Sequence, residues 1–446
     1  MVELKFLSLF TTFFLFLSPS SVLSRTLLQQ RDISSFSLKL YPRNALYKSQ
    51  FKSLKEISLD RLERDVARVN FLKKKIYRAI HGNGTSDLKT MDLEIPITSG
   101  KSQGSGEYFA RFGYGTPPKQ LYTAIDTGSD ITWIQCTPCD PLNPCYPQTD
   151  PLFDPSMSSS YKPLACDSQQ CSQLDRSRCY TSTNTCAYRV DYGDNSFTEG
   201  DFVTETVTFG DSTTRNIAIG CGRKNQGLFM GSAGLLGLGG NSLSFPSQIN
   251  SPSFSYCLVD KDATSASTLE FGSLAIPSDA ITVPLLVNSK MNTFYYVGLT
   301  GISVGGQMLP ISPSAFALDQ SGDGGVIVDS GTAVTRFQPE VYNMLRDEFI
   351  KGIQGLPPPR GFLLFDTCYE LTSRPPGIPR VAFLFDTKTL ELPDNNYFTE
   401  VAQNVFCLSF ATISQRTSII GNTQQQGMRV SFDVGRALIG FSVGKC

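Results

Sequence analysis

Two short motifs that occur twice, in the same order, restrict the fold more than any other feature of this chain. Ala124-Ile125-Asp126-Thr127-Gly128-Ser129 has a counterpart in Ile327-Val328-Asp329-Ser330-Gly331-Thr332. Each is an apolar pair followed by Asp, a hydroxyl residue, Gly and a second hydroxyl residue. Leu235-Leu236-Gly237 ends 111 residues after Asp126, and Ile419-Ile420-Gly421 ends 92 residues after Asp329. A repeated pair of this kind predicts two related lobes. The chain has 37 Gly, 26 Pro, 31 Phe and 17 Tyr, a mix that favours strands and turns, so the lobes are expected to be all-β. The boundary between them is expected near Phe271 to Val287, a turn-rich stretch before a strand at Tyr295-Tyr296-Val297.

Histidine narrows the chemistry. The only one is His81, ahead of every cysteine. The region from Cys136 to Cys446 therefore has no Ser-His-Asp or Cys-His catalysis, no His-ligated zinc and no imidazole base. If that region is an enzyme, carboxylates are its acid and base.

The amino-terminal part reads as processing segments. An apolar run from Phe6 to Leu17, then small residues to Ser24, predicts a secretory signal peptide over residues 1–24, although Lys5 follows the acidic Glu3 and the n-region is weakly charged. The competing reading is a membrane anchor, for which the run is short. Twelve cysteines, all from Cys136 onward, fit export and six disulfides. Cys136-x-x-Cys139 also has the spacing of half a zinc site, but the other half would need scattered cysteines.

Charge divides the chain. From Arg25 to Ile80 there are 14 Lys+Arg against 5 Asp+Glu, a net of +9; from Leu93 onward 23 basic and 32 acidic residues give −9. Leu59, Leu62, Val66, Val69 and Ile76 recur at helical spacing within the basic segment. A basic amphipathic helix ahead of an acidic, Cys-rich body suggests a prosegment docked by charge. The alternatives are a surface helix or a nucleic-acid arm, and the acidic body opposes the latter. The resulting layout is signal peptide 1–24, basic propeptide 25–92, N-terminal lobe 93–275 and C-terminal lobe 276–446. The mature start is expected between Leu93 and Gly106. One Asn-x-Ser/Thr site, at Asn83, predicts a glycan near the end of the prosegment.

The paired motif suggests its own chemistry. The apolar pair puts each Asp at the end of a buried strand, and Gly128 and Gly331 let the partner loop approach closely. Ser129 and Thr332 can hydrogen-bond the outer carboxylate oxygens. Thr127 and Ser330 can tie the loops across the lobe interface. Two facing carboxylates cannot both ionise easily and share a proton, so one can take a proton from water while the other gives one to a carbonyl. Such a mechanism requires no metal or other cofactor.

These residues resemble the catalytic loops of pepsin-family aspartic endopeptidases, and more narrowly those of the atypical plant group that includes nepenthesins and guard-cell aspartic proteases. The resemblance covers roughly Glu107 to Cys446. It implies that Asp126 and Asp329 are the catalytic pair of a bilobal fold with a central cleft. It implies that Tyr188-x-x-x-Tyr192-Gly193-Asp194-x-Ser196 is a flap over the substrate, with Trp133 as hydrogen-bond partner of Tyr192. Seven cysteines, Cys136, Cys139, Cys145, Cys166, Cys171, Cys179 and Cys186, resemble the group's Cys-rich insertion (136–186). By the same resemblance Cys257 pairs with Cys446 and Cys368 with Cys407; pairing among the insertion cysteines and Cys221 stays open. Ala333 stands where the family often has a third hydroxyl residue, and the saposin-like insert of plant vacuolar enzymes is absent. The implied protein is a secreted, apoplastic, acid-active monomer that cleaves polypeptides. It would be made as a zymogen held by its own prosegment, with no nucleic-acid or membrane partner. The rival is a catalytically inactive relative that binds another protein, as xylanase inhibitors do.

Overall fold

The computed structural model describes residues 35–46, 53–81, 108–142, 144–192, 197–210, 212–226 and 231–446. The expected signal peptide, Asn83 and the mature start lie outside these residues, as do Gly193 and Asp194.

The duplicated sequence motifs become duplicated strand pairs. Strand Lys119–Asp126 runs parallel to strand Gly234–Gly237, with Leu235 opposite Ala124, Leu236 opposite Ile125 and Gly237 opposite Asp126. Strand Val326–Val328 runs parallel to strand Ser418–Ile420, with Ile419 opposite Ile327 and Ile420 opposite Val328. The paired residues are buried throughout, as parallel strands covered on both faces require. In each copy the apolar pair ahead of the Asp therefore lies against the apolar pair ahead of the distant Gly. Gly421 is needed for the crossing, since a Cβ there would lie 2.8 Å from the Val334 carbonyl carbon. The result is the bilobal, mostly β architecture that the repeat predicts.

Six disulfides join Cys136–Cys221, Cys139–Cys145, Cys166–Cys179, Cys171–Cys186, Cys257–Cys446 and Cys368–Cys407. Cys136 and Cys139, the spacing of half a zinc site, thus belong to different bridges. Among the described residues no helix is long and apolar enough to cross a membrane.

The basic segment contains more than a helix. Phe36–Pro42 is a strand, pairing antiparallel with Ser267–Phe271 on one side and Tyr108–Tyr114 on the other. Its alternation, with Phe36, Leu38 and Leu40 buried and Ser37 and Lys39 exposed, has the period of two that a strand needs. Phe36 stacks on Phe209 and Phe271, with ring centroids 4.2 and 4.7 Å apart.

The helix itself spans Leu54–His81. A capping box starts it: Ser53 Oγ accepts from the Glu56 amide at 3.2 Å, and Glu56 Oε2 accepts from the Ser53 amide at 3.1 Å. Leu62, Val69 and Ile76 are buried, but Leu59 and Val66 only half so. The buried face instead extends to Arg61, Asp65, Arg68 and Leu72, which recur at three- and four-residue spacing along one side. Leu62 packs with Ala333, Val334 and Phe365. Val69, Phe71, Leu72 and Ile76 pack with Trp133, Tyr192, Phe294 and Ile413. The helix thus contacts residues of both sequence repeats.

Candidate active site

The structure brings Asp126 and Asp329 together in the interior, 2% and 1% exposed. The two loops interlock through reciprocal bonds. The Thr127 amide donates to Ser330 Oγ at 3.1 Å, and the Ser330 amide donates to Thr127 Oγ1 at 2.9 Å. Gly128 and Gly331 make the approach possible: a Cβ on Gly128 would lie 2.8 Å from Asp329 Oδ1, and one on Gly331 would lie 2.8 Å from Asp126 Oδ1. The Gly128 amide donates to Asp126 Oδ1 at 2.9 Å, and the Gly331 amide donates to Asp329 Oδ1 at 3.3 Å. The outer oxygens differ. Thr332 Oγ1 donates to Asp329 Oδ2 at 2.5 Å, while the buried Ser129 hydroxyl, less tightly placed, favours the ionised form of Asp126.

Between the carboxylates lies the Arg68 guanidinium of the long helix, its side chain fully buried. Nη2 donates to Asp126 Oδ1 at 2.5 Å and to Asp329 Oδ1 at 2.9 Å. Nη1 donates to Asp126 Oδ2 at 2.8 Å, and Nε to Asp329 Oδ2 at 3.0 Å. Each carboxylate is gripped by two donors, the fork geometry that suits arginine and not lysine. One point, filled by Nη2, is therefore within hydrogen-bonding reach of both inner oxygens.

The electrostatics are asymmetric. Burial pushes the Asp126 carboxyl above its ordinary value, and the charge of Asp329 adds to this; Arg68, the Ser129 hydroxyl and the Gly128 amide oppose it without prevailing. Burial also raises Asp329, but there the charge and hydrogen bonds of Arg68, with Thr332 and the Gly331 amide, outweigh it, and the carboxyl falls below its ordinary value. For Arg68, burial favours loss of the charge, and the two carboxylates override it.

Further contacts of the helix flank this centre. Asp65 Oδ1 accepts from the amides of Ala333 and Val334 at 2.6 and 2.9 Å, and Asp65 Oδ2 pairs with Arg336. Arg61 Nη2 donates to Asn422 Oδ1 at 2.9 Å and to Thr423 Oγ1 at 3.0 Å. Lys75 lies 3.7 Å from Asp130. On the other side, Trp133 Nε1 donates to Tyr192 Oη at 3.0 Å, and Phe71 of the helix packs against the Tyr192 ring with centroids 5.0 Å apart. Tyr192 follows strand Thr185–Asp191, which pairs antiparallel with strand Phe197–Phe209.

Arg61, Asp65 and Arg68 are the site residues that sequence reasoning missed. The available signal was their spacing with Leu72, a stripe of charges beside the apolar one. Among the described residues no cluster of His, Cys, Asp and Glu could hold a metal ion.

Family models described as the N-terminal and C-terminal parts of xylanase inhibitors match residues 108–273 and 294–443. The chain is 46% identical to aspartyl protease family protein 2 of Arabidopsis thaliana, over 93% of this chain and 86% of that one. It is 40% identical to the protein Aspartic Protease in Guard Cell 2 of the same plant, over 93% and 88%. It is 38% identical to the aspartic proteinase nepenthesin-1 of Nepenthes gracilis, over 99% and 98%. Among solved structures, basic 7S globulin from soybean superposes with a TM-score of 0.61 at 19% identity, covering 76% of this chain and 93% of that one. The last likeness concerns the fold alone.

Proposed function

Because the chain belongs to the plant pepsin-like aspartic protease family and is an aspartic-type endopeptidase, we propose that Asp126 and Asp329 hydrolyse peptide bonds and that Arg68 holds them inactive in a secreted zymogen. The observation that carries this reading is the single point within 2.5 Å of Asp126 Oδ1 and 2.9 Å of Asp329 Oδ1. In the precursor an arginine nitrogen fills it. After the helix leaves, a water there is polarised by both inner oxygens.

The chemistry then follows from one proton shared by the pair. The ionised carboxylate takes a proton from the water, whose oxygen attacks the scissile carbonyl carbon. The protonated carboxyl gives its proton to the carbonyl oxygen, and a tetrahedral diol forms. Collapse breaks the C–N bond as the amine takes a proton from the pair. The proton belongs to the pair and to neither residue alone. Trp133 steadies Tyr192 at the edge of the cleft, where the flap closes over the peptide.

The layout that fits is a signal peptide over 1–24, a prosegment over 25–92, and lobes over 93–275 and 276–446. Six disulfides suit an oxidising compartment, and we place the mature monomer in the apoplast. Charge docks the prosegment where Arg68 and Lys75 meet acidic groups of the body, and Arg61 adds hydrogen bonds to the neutral Asn422 and Thr423.

The family models named for xylanase inhibitors favour a second reading, an inactive protein-binding relative. Hydrolysis of denatured globin by the processed protein at acid pH, blocked by a statyl peptide, separates the two. D126N and D329N should each lower cleavage by about 100-fold or more. Undiminished cleavage by either variant would remove the dyad from the reaction.

A further inference from the structure

The contact between Asp65 and the second lobe has a meaning separate from inhibition. Its carboxylate has 0% side-chain exposure and is held from three directions: the Ala333 amide at 2.6 Å, the Val334 amide at 2.9 Å and the Arg336 guanidinium. All three donors belong to the segment that continues from the Asp329 loop. None belongs to the helix. Arg336 is 1% exposed, and its strand, Thr335–Phe337, is fixed parallel to strand Phe410–Thr412 and bridged to Ile419. Its Nη1 lies 3.4 Å from the Thr412 carbonyl. Among the described residues its buried Nε has no hydrogen-bond partner. Among the described residues, Asp65 is the only acidic group in salt-bridge range of Arg336.

When the helix departs, this arrangement loses its anion but keeps its donors. Two amides converge on one point, and a guanidinium sits beside them with no counter-ion, a state that is unfavourable wherever water is scarce. A peptide in the cleft can restore the pairing only with a carboxylate. Asp65 lies three residues from Arg68, about 4.5 Å along the helix axis, and an extended peptide covers that length in one to two residues. We infer that Ala333, Val334 and Arg336 form a subsite for an acidic side chain, so that the mature protease selects substrates with Asp or Glu within about two residues of the scissile bond. In the precursor Asp65 occupies this subsite as a substrate side chain would. The inference rests on the zymogen reading, and it makes Arg336 a specificity residue.

The test uses processed enzyme and peptides that differ only by Glu against Gln, or Asp against Asn, at each of the two positions on either side of the cleaved bond. Assays run at about pH 5, above the roughly 4.3 of a free Glu side chain. At one of these positions the acidic peptide should be favoured in kcat/KM by about tenfold or more, the scale of a charge-assisted pair. R336Q should bring that ratio to about one, and R336K should keep part of it. Equal cleavage of acidic and amide peptides by wild-type enzyme at all four positions would overturn the inference, even if R336Q did not fold. So would a preference that survives in R336Q. If wild-type enzyme cleaved none of the peptides and no denatured globin, the protease reading would fall, and this inference with it.

Discussion

Arg68 meets Asp329 along one edge of its guanidinium, donating from Nε to Oδ2 at 3.0 Å and from Nη2 to Oδ1 at 2.9 Å. The charge of Arg68 lowers the pKa of Asp329 and acts in the same direction on Asp126. Withdrawing it raises both. Docking of the helix is therefore favoured where the carboxylates are ionised, and the advantage is lost as pH falls through their docked-state values.

That sign fixes how activation depends on pH. In the docked state Asp126 lies above the ordinary 3.8 of an aspartate and Asp329 below it. Acidification neutralises the pair, so the latch weakens progressively as the pH falls. Release of the prosegment from purified precursor should accelerate steadily from about pH 7 to about pH 3. In R68Q, which leaves two buried carboxylates without their cation, release at neutral pH should be faster by about 100-fold or more. A time course of processing across that range, read on gels, checks both. Equal rates at every pH in the wild-type chain would contradict the latch.

Gly331→Ala tests how closely the two loops must meet. The new Cβ would sit 2.8 Å from Asp126 Oδ1, so it presses on the two aspartates and not on the outer scaffold. Displacing a reacting group by about 1 Å can lower the rate about 100-fold. The processed variant should lose kcat/KM on that scale while its far-ultraviolet circular dichroism stays that of the wild type. Wild-type kinetics in G331A would mean that the loops tolerate a wider gap.

The hydrogen bond from Trp133 to Tyr192 predicts coupled behaviour. The indole is fully buried, and its N–H reaches Tyr192 Oη at 3.0 Å. W133F and Y192F should each reduce kcat/KM, and the double variant should fall little below the worse single one. The coupling energy expected is about 1 kcal/mol. Strict additivity in a double-mutant cycle would show that the two rings act independently.

What the sequence made legible was the repeat. Asp126 and Asp329, their glycines and the distant apolar-apolar-Gly elements could be read because each half repeats a local pattern set by a buried parallel strand pair. The role of Arg68 could not be read in this way. Charged side chains are ordinarily solvated, so Arg61, Asp65 and Arg68 were absorbed into a net charge, and the helix face was assigned from Leu59 and Val66, which are only half-buried. A buried cation needs a specific anion, and the anion that decides its position is far away in sequence. The strand Phe36–Pro42 was missed for another reason. Its alternation is seven residues long, and the strands that accept it, Tyr108–Tyr114 and Ser267–Phe271, lie far along the chain.

The disulfides predict a graded response to reduction that follows loop length. Cys257–Cys446 spans 189 residues and ties the chain's last residue to strand Ser253–Cys257, whereas Cys139–Cys145 spans 6. In the chain-entropy description a cross-link stabilises by restricting the unfolded chain, which gives about 5 kcal/mol for the longer loop and about 2 for the shorter. The sheet adds to the difference: Ser253–Cys257 pairs along its whole length with Met428–Asp433, so freeing the terminus also lets that pairing fray. C257S/C446S should therefore lower the apparent Tm several degrees more than C139S/C145S, measured on the unprocessed precursor at one scan rate and neutral pH. Cys368–Cys407, spanning 39 residues, should fall between them. If the 6-residue bridge proved the costliest to remove, loop closure would not govern these bonds, and the local geometry of the insertion would have to be stabilising the native state directly.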